Sequence, residues 1–357
     1  MGQLIVRHED PYNAGPPLEL LCKSHITPNE LFFVRNHGDV PQIDPVAYRF
    51  TVEGTPQPLS LSLPELRRQF TQVTVAATLQ CAGNRRQELM AYKPIPGELG
   101  WGAEAISHAT WNGARLRDVL LAAGVEQMDQ ARHVAFDGFD RTERLNRTIS
   151  FGGSIPLEKA LHPEVLLAYE MNETPLTPLH GAPLRVVAPG YIGARSVKWL
   201  RRIVVQAAPS DNYFQAHAYR LFPPSVTPDN VAWDDGLMLG EMSVNAVICV
   251  PQSNTVAPAG TIDVRGYAMA GGNRHVARVE LSTDDGRSWR VADLDGDDRP
   301  WSWRLWSAQV TLQAGDHFLV VRAIDSAANL QPEEIRSVWN FKGYMNNAWH
   351  RIRLTAL

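Results

Sequence analysis

The sequence predicts an α+β domain followed by an all-β sandwich. Three observations carry that expectation. The chain has 357 residues, more than the about 250 at which a single core stops growing. Up to about residue 225, helix and strand signals mix without the regular β-helix-β alternation of a doubly wound sheet. After FPPSVTPDNVAWDDG (222–236) the helical signals vanish and alternating apolar runs take over. The proline-rich stretch at 222–228 is the natural boundary, dividing the chain into 1–228 and 229–357.

In the first part, LSLPELRRQF (61–70) sets an apolar stripe behind Ser62, Pro64 and Glu65, residue types that start helices. ARLRDVLLAAGV (114–125) reads as a helix that stops at Gly124. VTVAATLQ (73–80), RHVAFDGF (132–139), LRVVAPG (184–190) and KWLRRIVVQA (198–207) read as strands. In the second part SVNAVICV (243–250), TIDVRGYAM (261–269), ARVELSTDDGRSWRVADL (277–294) and SAQVTLQAGDHFLVVRAID (307–325) alternate, with DDG and QAGD at hairpin spacing. STDDGRSW (282–289) has the form of a hairpin turn closed by an aspartate. DLDGDD (293–298) reads as a turn, because the glutamate that completes a calcium loop is missing.

Composition narrows the function. A net charge of −4 and a sequence pI near 6.3 supply no basic field for a phosphate backbone, so nucleic acid is not an expected partner. No apolar window is long enough to span a membrane, and the N-terminus lacks the basic and apolar regions of an export signal. Cys22, Cys81 and Cys249 are too few and too far apart for a disulfide framework or a CxxC zinc site, which suggests a reducing, cytoplasmic setting. GYIGARS (190–196) is neither a dinucleotide nor a phosphate loop, and HExxH and GxSxG are absent.

Cys81 stands apart. In TLQCAGNRR (78–86) it follows an apolar run and precedes Arg85 and Arg86. Nearby positive charge favours a thiolate, which is either a nucleophile or a soft metal ligand. Spacing alone does not choose between the two.

CAGNRR (81–86) resembles the signature of the sulfite oxidase family of molybdenum enzymes. FFVRNH (32–37), WGAEAISHATWNGARL (101–116), residues 161–200, FPPSVTP (222–228), DSAANLQPE (325–333) and NNAWHR (346–351) resemble family blocks in family order. The resemblance implies a molybdopterin-binding fold followed by an immunoglobulin-like dimerisation domain. It implies Cys81 as the metal ligand. It assigns the Mo-molybdopterin cofactor to Phe33, Arg35, Asn36 and His37, to Asp140, to His180 and Arg185, and to Ser196, Val197 and Lys198. Arginine suits the cofactor's phosphate because its planar fork donates two parallel charge-assisted hydrogen bonds.

The resemblance further places sulfite, a small dianion, among Arg35, Arg86 and Arg351, with Trp101 as wall and Tyr219 as the phenol beside the metal. Tyr219 and Arg351 tilt the reading toward sulfite and away from nitrate reductase-like or other small oxo-substrate chemistry. An inactive dimeric binding protein is a further alternative, opposed by Cys81 and the intact pocket set. The sequence shows no CxxCH and no haem, flavin or NADH module, so electrons are expected to leave to an external acceptor, dioxygen or a cytochrome. The final residues TAL depart from a peroxisomal signal, and a cleaved signal would imply the periplasm.

Overall fold

A computed structural model describes residues 4–296 and 298–357. The first part begins its core with β1 (Arg49–Glu53), β2 (Leu59–Ser62) and α1 (Leu63–Gln69). Helix α1 starts where the sequence places it because Ser62 and Glu65 close a capping box, each side chain accepting from the other's backbone N–H, with Pro64 in the first turn. Strand β3 (Gln72–Gln80) then leads to the cysteine loop and α2 (Arg86–Tyr92). Strand β4 (Ile106–Arg115) runs directly into α3 (Leu116–Ala122), and Gly124 beyond it takes the left-handed φ of 81° that the helix stop requires. The part closes with β5 (His133–Gly138), β6 (Gly152–Pro156), β7 (Leu166–Met171), β8 (Thr174–Pro175), β9 (Arg185–Val187) and β10 (Leu200–Gln206).

These strands form two sheets. One has the order β6-β5-β10-β1-β2, antiparallel except for the β10–β1 pair. The other has the order β8-β7-β4-β3, with β9 also paired to β7. Phe50, Phe136 and Ile203 of the first sheet, Leu167 and Val186 of the second, and Leu116 and Leu120 of α3 share one buried core. Each fully buried side chain of this kind stabilises the fold by about 1.5–3 kcal/mol.

The second part is β11 (Asn245–Val250), β12 (Thr255–Ala257), β13 (Gly260–Met269), β14 (Val276–Ser282), β15 (Arg290–Val291), β16 (Asp293–Asp295), β17 (Arg304–Leu312), β18 (Gly315–Asp325) and β19 (His350–Ala356). They make two sheets, β11-β13-β17-β16 and β12-β19-β18-β14-β15, which enclose a common core. The turn between β14 and β15 is closed by Asp284, whose carboxylate accepts from Ser288 N–H at 2.9 Å and from the Ser282 hydroxyl at 2.7 Å. Asp297 of the DLDGDD stretch lies outside the described residues, and Asp293–Asp295 is a strand.

Strand alternation divides β13 between two cores. Val264 and Ala268 face the sandwich interior, while Tyr267 and Met269 face the first part, together with Val247 and Cys249 of β11. There they meet Leu21, Cys22, Ala82, Ile106, Phe214 and Tyr219. The two parts are therefore joined by a buried apolar seam, and the seam runs past the cysteine loop.

Candidate active site

The cysteine loop starts where β3 ends. Gln80 is the last residue of β3 paired with β4, opposite Ile106, and the Cys81 N–H continues inward to Ala105 O at 2.9 Å. The chain then turns: Asn84 N–H bonds Cys81 O at 3.0 Å, Arg85 adopts a left-handed φ of 66°, and α2 begins at Arg86. Gly83 leaves room for Arg86: a Cβ here would sit 2.7 Å from the guanidinium carbon and displace that group. Its N–H donates to Cys81 Sγ at 3.4 Å.

The second part grips this loop. Tyr267 Oη accepts from Asn84 Nδ2 at 2.9 Å and donates to Ala103 O at 2.8 Å. Met345 N–H bonds Ala82 O at 2.8 Å, and Asn346 Nδ2 bonds Arg85 O at 3.0 Å. The two arginines consequently differ. Arg85 is fully buried and donates from Nε and Nη2 to the Glu88 carboxylate, both at 2.7 Å, which makes it a brace for the turn. Arg86 donates from Nε to Gly343 O at 3.0 Å and from Nη1 to Leu99 O at 2.9 Å, with its guanidinium 5.0 Å from the Tyr344 ring centroid.

Cys81 opens on a pocket lined by Phe33, Arg35, Asn36, His37, Asp140, His180, Arg185, Ser196, Lys198 and Tyr219. Arg185 donates to His180 O at 3.0 Å and Ser196 O at 3.1 Å, and lies 4.9 Å from the Trp111 ring centroid. Lys198 Nζ donates to Leu179 O at 2.9 Å and to Asn36 Oδ1. Burial, with the nearby cations Lys198 and Arg185, pushes His180 down to about 3, and burial brings Arg185 down to about 9. Asp140 accepts from Phe151 N–H at 3.3 Å, and burial raises it to about 6 against the pull of Lys198.

The His37–Tyr219 pair has a defined polarity. Arg35 Nη2 lies 3.2 Å from His37 Nδ1, and a guanidinium only donates, so Nδ1 is the acceptor. Burial, then the charges of Arg35, Arg144, Lys198 and Arg86, hold His37 well below its ordinary value. The neutral ring's proton is thereby assigned to Nε2, which donates to Tyr219 Oη at 2.7 Å. Tyr219 keeps its own O–H for a partner in the pocket. A five-residue π turn, Phe214–Ala218, delivers the tyrosine to this position.

An outer cleft of about 1000 Å³ adjoins the pocket, with Arg35, Asn36 and His37 lining both. Arg141, Arg144, Lys342, Glu98, Tyr213 and Tyr344 line the cleft. Lys342 and Glu98 escape sequence reasoning: Lys342 is a lone lysine in NFKGY (340–344), with no pattern to mark it. The flanking aromatics Phe341 and Tyr344 were the only signal.

Four sequence expectations need correction. Arg86 lines neither the pocket nor the outer cleft among the described residues: its 3%-exposed guanidinium is turned to Gly343 O and Leu99 O behind the Tyr344 ring, so only its charge reaches the site. Arg351 does not reach the pocket. It points away on β19, where Nε meets Asp285 Oδ1 at 3.1 Å and Nη1 donates to Glu333 O at 2.8 Å. Neighbouring His350 takes the inward side and accepts from Ile248 N–H at 3.1 Å, so the period of the strand sends Arg351 outward. Val197 turns its side chain into the first core and bonds Val186 N–H through its carbonyl, leaving Ser196 and Lys198 at the pocket. Trp101 is fully buried and lines neither cavity, and its Nε1–H has no hydrogen-bond partner among the described residues.

Fold and site together define a molybdopterin-binding oxidoreductase. Residues 37–214 match the family described as "Oxidoreductase molybdopterin binding domain", and residues 237–356 match "Mo-co oxidoreductase dimerisation domain". Sulfite oxidase of Gallus gallus is 46% identical over 98% of this chain and 77% of its own length. Sulfite oxidase of Arabidopsis thaliana is 39% identical over 98% of this chain and 93% of its own. The chain belongs to the sulfite oxidase family. Its fold matches that of the sulfane dehydrogenase SoxCD of Paracoccus pantotrophus, with a TM-score of 0.81, 24% identity, and coverage of 95% of this chain and 83% of that one.

The residues present fit the Mo-molybdopterin that this family binds. The described pocket wall carries buried Arg185 and half-buried Arg35 and Lys198 against the single carboxylate of Asp140, a surplus of donors that calls for an anion. Cys81 supplies a soft sulfur at its edge.

Proposed function

We propose that this chain oxidises sulfite to sulfate and passes two electrons to an external acceptor, dioxygen or a cytochrome. One observation carries the reading: Cys81 and the free hydroxyl of Tyr219 face the same pocket, whose wall holds Arg35, Arg185 and Lys198. Full-length similarity to sulfite oxidases supports it. Cys81 would ligate the metal. Asn36, His180, Arg185, Ser196 and Lys198 would hold the pterin and its phosphate, with Asp140 and the Phe33 and His37 rings bounding them. Bound there, the cofactor would supply two-electron oxygen-atom transfer.

The chain's own contribution is electrostatic and positional. Arg35 draws the dianion inward, aided at the mouth by Lys342 and from behind the wall by the charge of Arg86, and cations fixed in advance favour charge in a partly desolvated site. Tyr219 donates its O–H to a substrate oxygen, because His37 already satisfies the Oη lone pair. Trp101 packs in the apolar cluster behind Cys81 and does not line the site. The second part, read as an immunoglobulin-like domain beginning near residue 229, would pair two copies of the chain. Its support is the two-sheet core and the description of the matched family. The chain would act in the cytoplasm.

The test is sulfite-dependent reduction of ferricyanide by molybdenum-loaded protein, repeated with Cys81→Ser. Turnover in the wild type and loss of both metal and turnover in the variant are expected. A loaded wild type that ignores sulfite but reduces nitrate would sink the substrate assignment.

A further inference from the structure

The outer cleft carries three carboxylates among its cations, Asp39, Glu98 and Glu143, and Glu98 is the one that pairs with Lys342; neither the cofactor nor the transfer chemistry needs it. Glu98 belongs to KPIPGELG (93–100), a segment pinned by buried Ile95 and freed at Gly97, which has a φ of 77° and no atom within 4 Å of where its Cβ would be. Oε1 of Glu98 pairs with Lys342 Nζ, and Oε2 lies 3.7 Å from Arg86 Nη1. Side-chain exposure is 19% for Glu98, 18% for Lys342 and 3% for Arg86, so the carboxylate is the partly wet partner of a buried guanidinium.

The geometry points to Glu98 as an internal counter-anion that holds the mouth until the substrate dianion displaces it, and hence as a residue that sets anion specificity. The inference rests on reading the site as a sulfite pocket. Arg86 is fixed by Gly343 O, Leu99 O and the Tyr344 ring, so it does not follow a departing carboxylate. Arg86 lines neither the pocket nor the cleft, so its fixed charge acts on an arriving anion from behind the wall, while Lys342 lines the cleft itself. The 3.7 Å contact with Arg86 exceeds a hydrogen bond, so the bond an arriving oxyanion has to replace is the one Glu98 makes to Lys342.

Charge decides which anions succeed. Displacing one carboxylate from two cations is favourable for a dianion, which restores more charge than it removes. It is close to neutral for a monoanion such as chloride. Glu98 thereby screens the site against chloride and, by closing again, promotes release of the dianionic product. The negative field of Glu98 also reaches the hydroxyls of Tyr213, Tyr219 and Tyr344, consistent with a central position at the mouth.

The experiment compares wild type with Glu98→Gln and Glu98→Asp as molybdenum-loaded enzymes. It measures the KM for sulfite and the inhibition constants of sulfate and chloride. If the internal anion holds the mouth about nine-tenths of the time, its removal lowers apparent dissociation constants by about tenfold. Glu98→Gln is therefore expected to lower the sulfite KM and both inhibition constants by about three- to tenfold, with chloride gaining most. Glu98→Asp, which keeps the charge, is expected to stay near wild type. Calorimetric titration of the metal-free protein with sulfate gives a readout independent of turnover and is expected to tighten likewise in Glu98→Gln. Unchanged or raised constants would overturn the inference and leave Glu98 as a mere prop for Lys342. Tighter sulfate binding in a protein that does not oxidise sulfite would instead refute the proposed function and keep the counter-anion.

Discussion

Replacing Tyr267 with phenylalanine isolates the grip of the second part on the cysteine loop. The ring stays, stacked on Trp303 with centroids 5.7 Å apart, so no cavity opens. Only the hydroxyl leaves, and with it the partner of Asn84 Nδ2 and of Ala103 O, in a side chain with no solvent exposure. Each buried polar group left unsatisfied costs about 1–3 kcal/mol. Asn84 remains tethered through Oδ1 to Ala105 N–H at 3.0 Å, so the lower part of the combined range, about 3 kcal/mol, is expected. At about 2.1 cal/mol/K per residue, the 357 residues give an unfolding entropy of about 0.75 kcal/mol/K, and 3 kcal/mol becomes a fall in Tm of about 4 °C. Differential scanning calorimetry of the metal-free protein measures the shift, and metal analysis after loading reads the consequence at Cys81. A fall below about 1 °C with undiminished molybdenum would show that the hydroxyl does not hold the loop.

Two further outcomes are expected. Arg351→Met leaves the sulfite KM within about twofold of wild type, since its ion pairs with Asp285 and Glu333 are surface contacts worth at most about 1 kcal/mol, and a large KM rise would reinstate Arg351 at the pocket. Stability of the metal-free protein falls as pH drops below about 6.5, because His37, His180 and His350 are buried with lowered values, the last two at about 3 and about 4. The unfolded chain then binds protons that the folded chain refuses, at up to about 1.4 kcal/mol per histidine for each pH unit. Asp140 opposes this, since its value raised to about 6 favours the folded state as pH falls through that point. Urea midpoints flat from pH 7 to pH 5 would refute the balance.

What the sequence makes legible follows local rules. Ser62, Pro64 and Glu65 start α1 through contacts within one turn, and Gly124 marks a stop that its φ requires. The pocket residues from FFVRNH, HGAPLR and ARSVK come together as the motifs imply, apart from Val197, whose side chain falls on the core face. Lys342 and Glu98 were hidden because their meaning is a meeting of segments 244 residues apart. Arg351 misled for a related reason. Its motif is genuine, but strand alternation and the register of β19 against β18 decide which side of a sheet a residue occupies, and neither is visible in a six-residue block.

The hold of residues 343–346 on the cysteine loop bears on how such chains diverge. Met345 and Asn346 bond the loop's carbonyls, Gly343 accepts from Arg86, and Lys342 beside them lines the mouth. A segment that completes the reactive centre of one module while belonging to the other is not exchangeable by itself. Grafting residues 237–356 from a relative would transplant part of the anion selectivity together with the sandwich. Two modules that look separable along the chain would then be inherited as one unit, with changes at 82–86 and 340–346 tied to each other across generations.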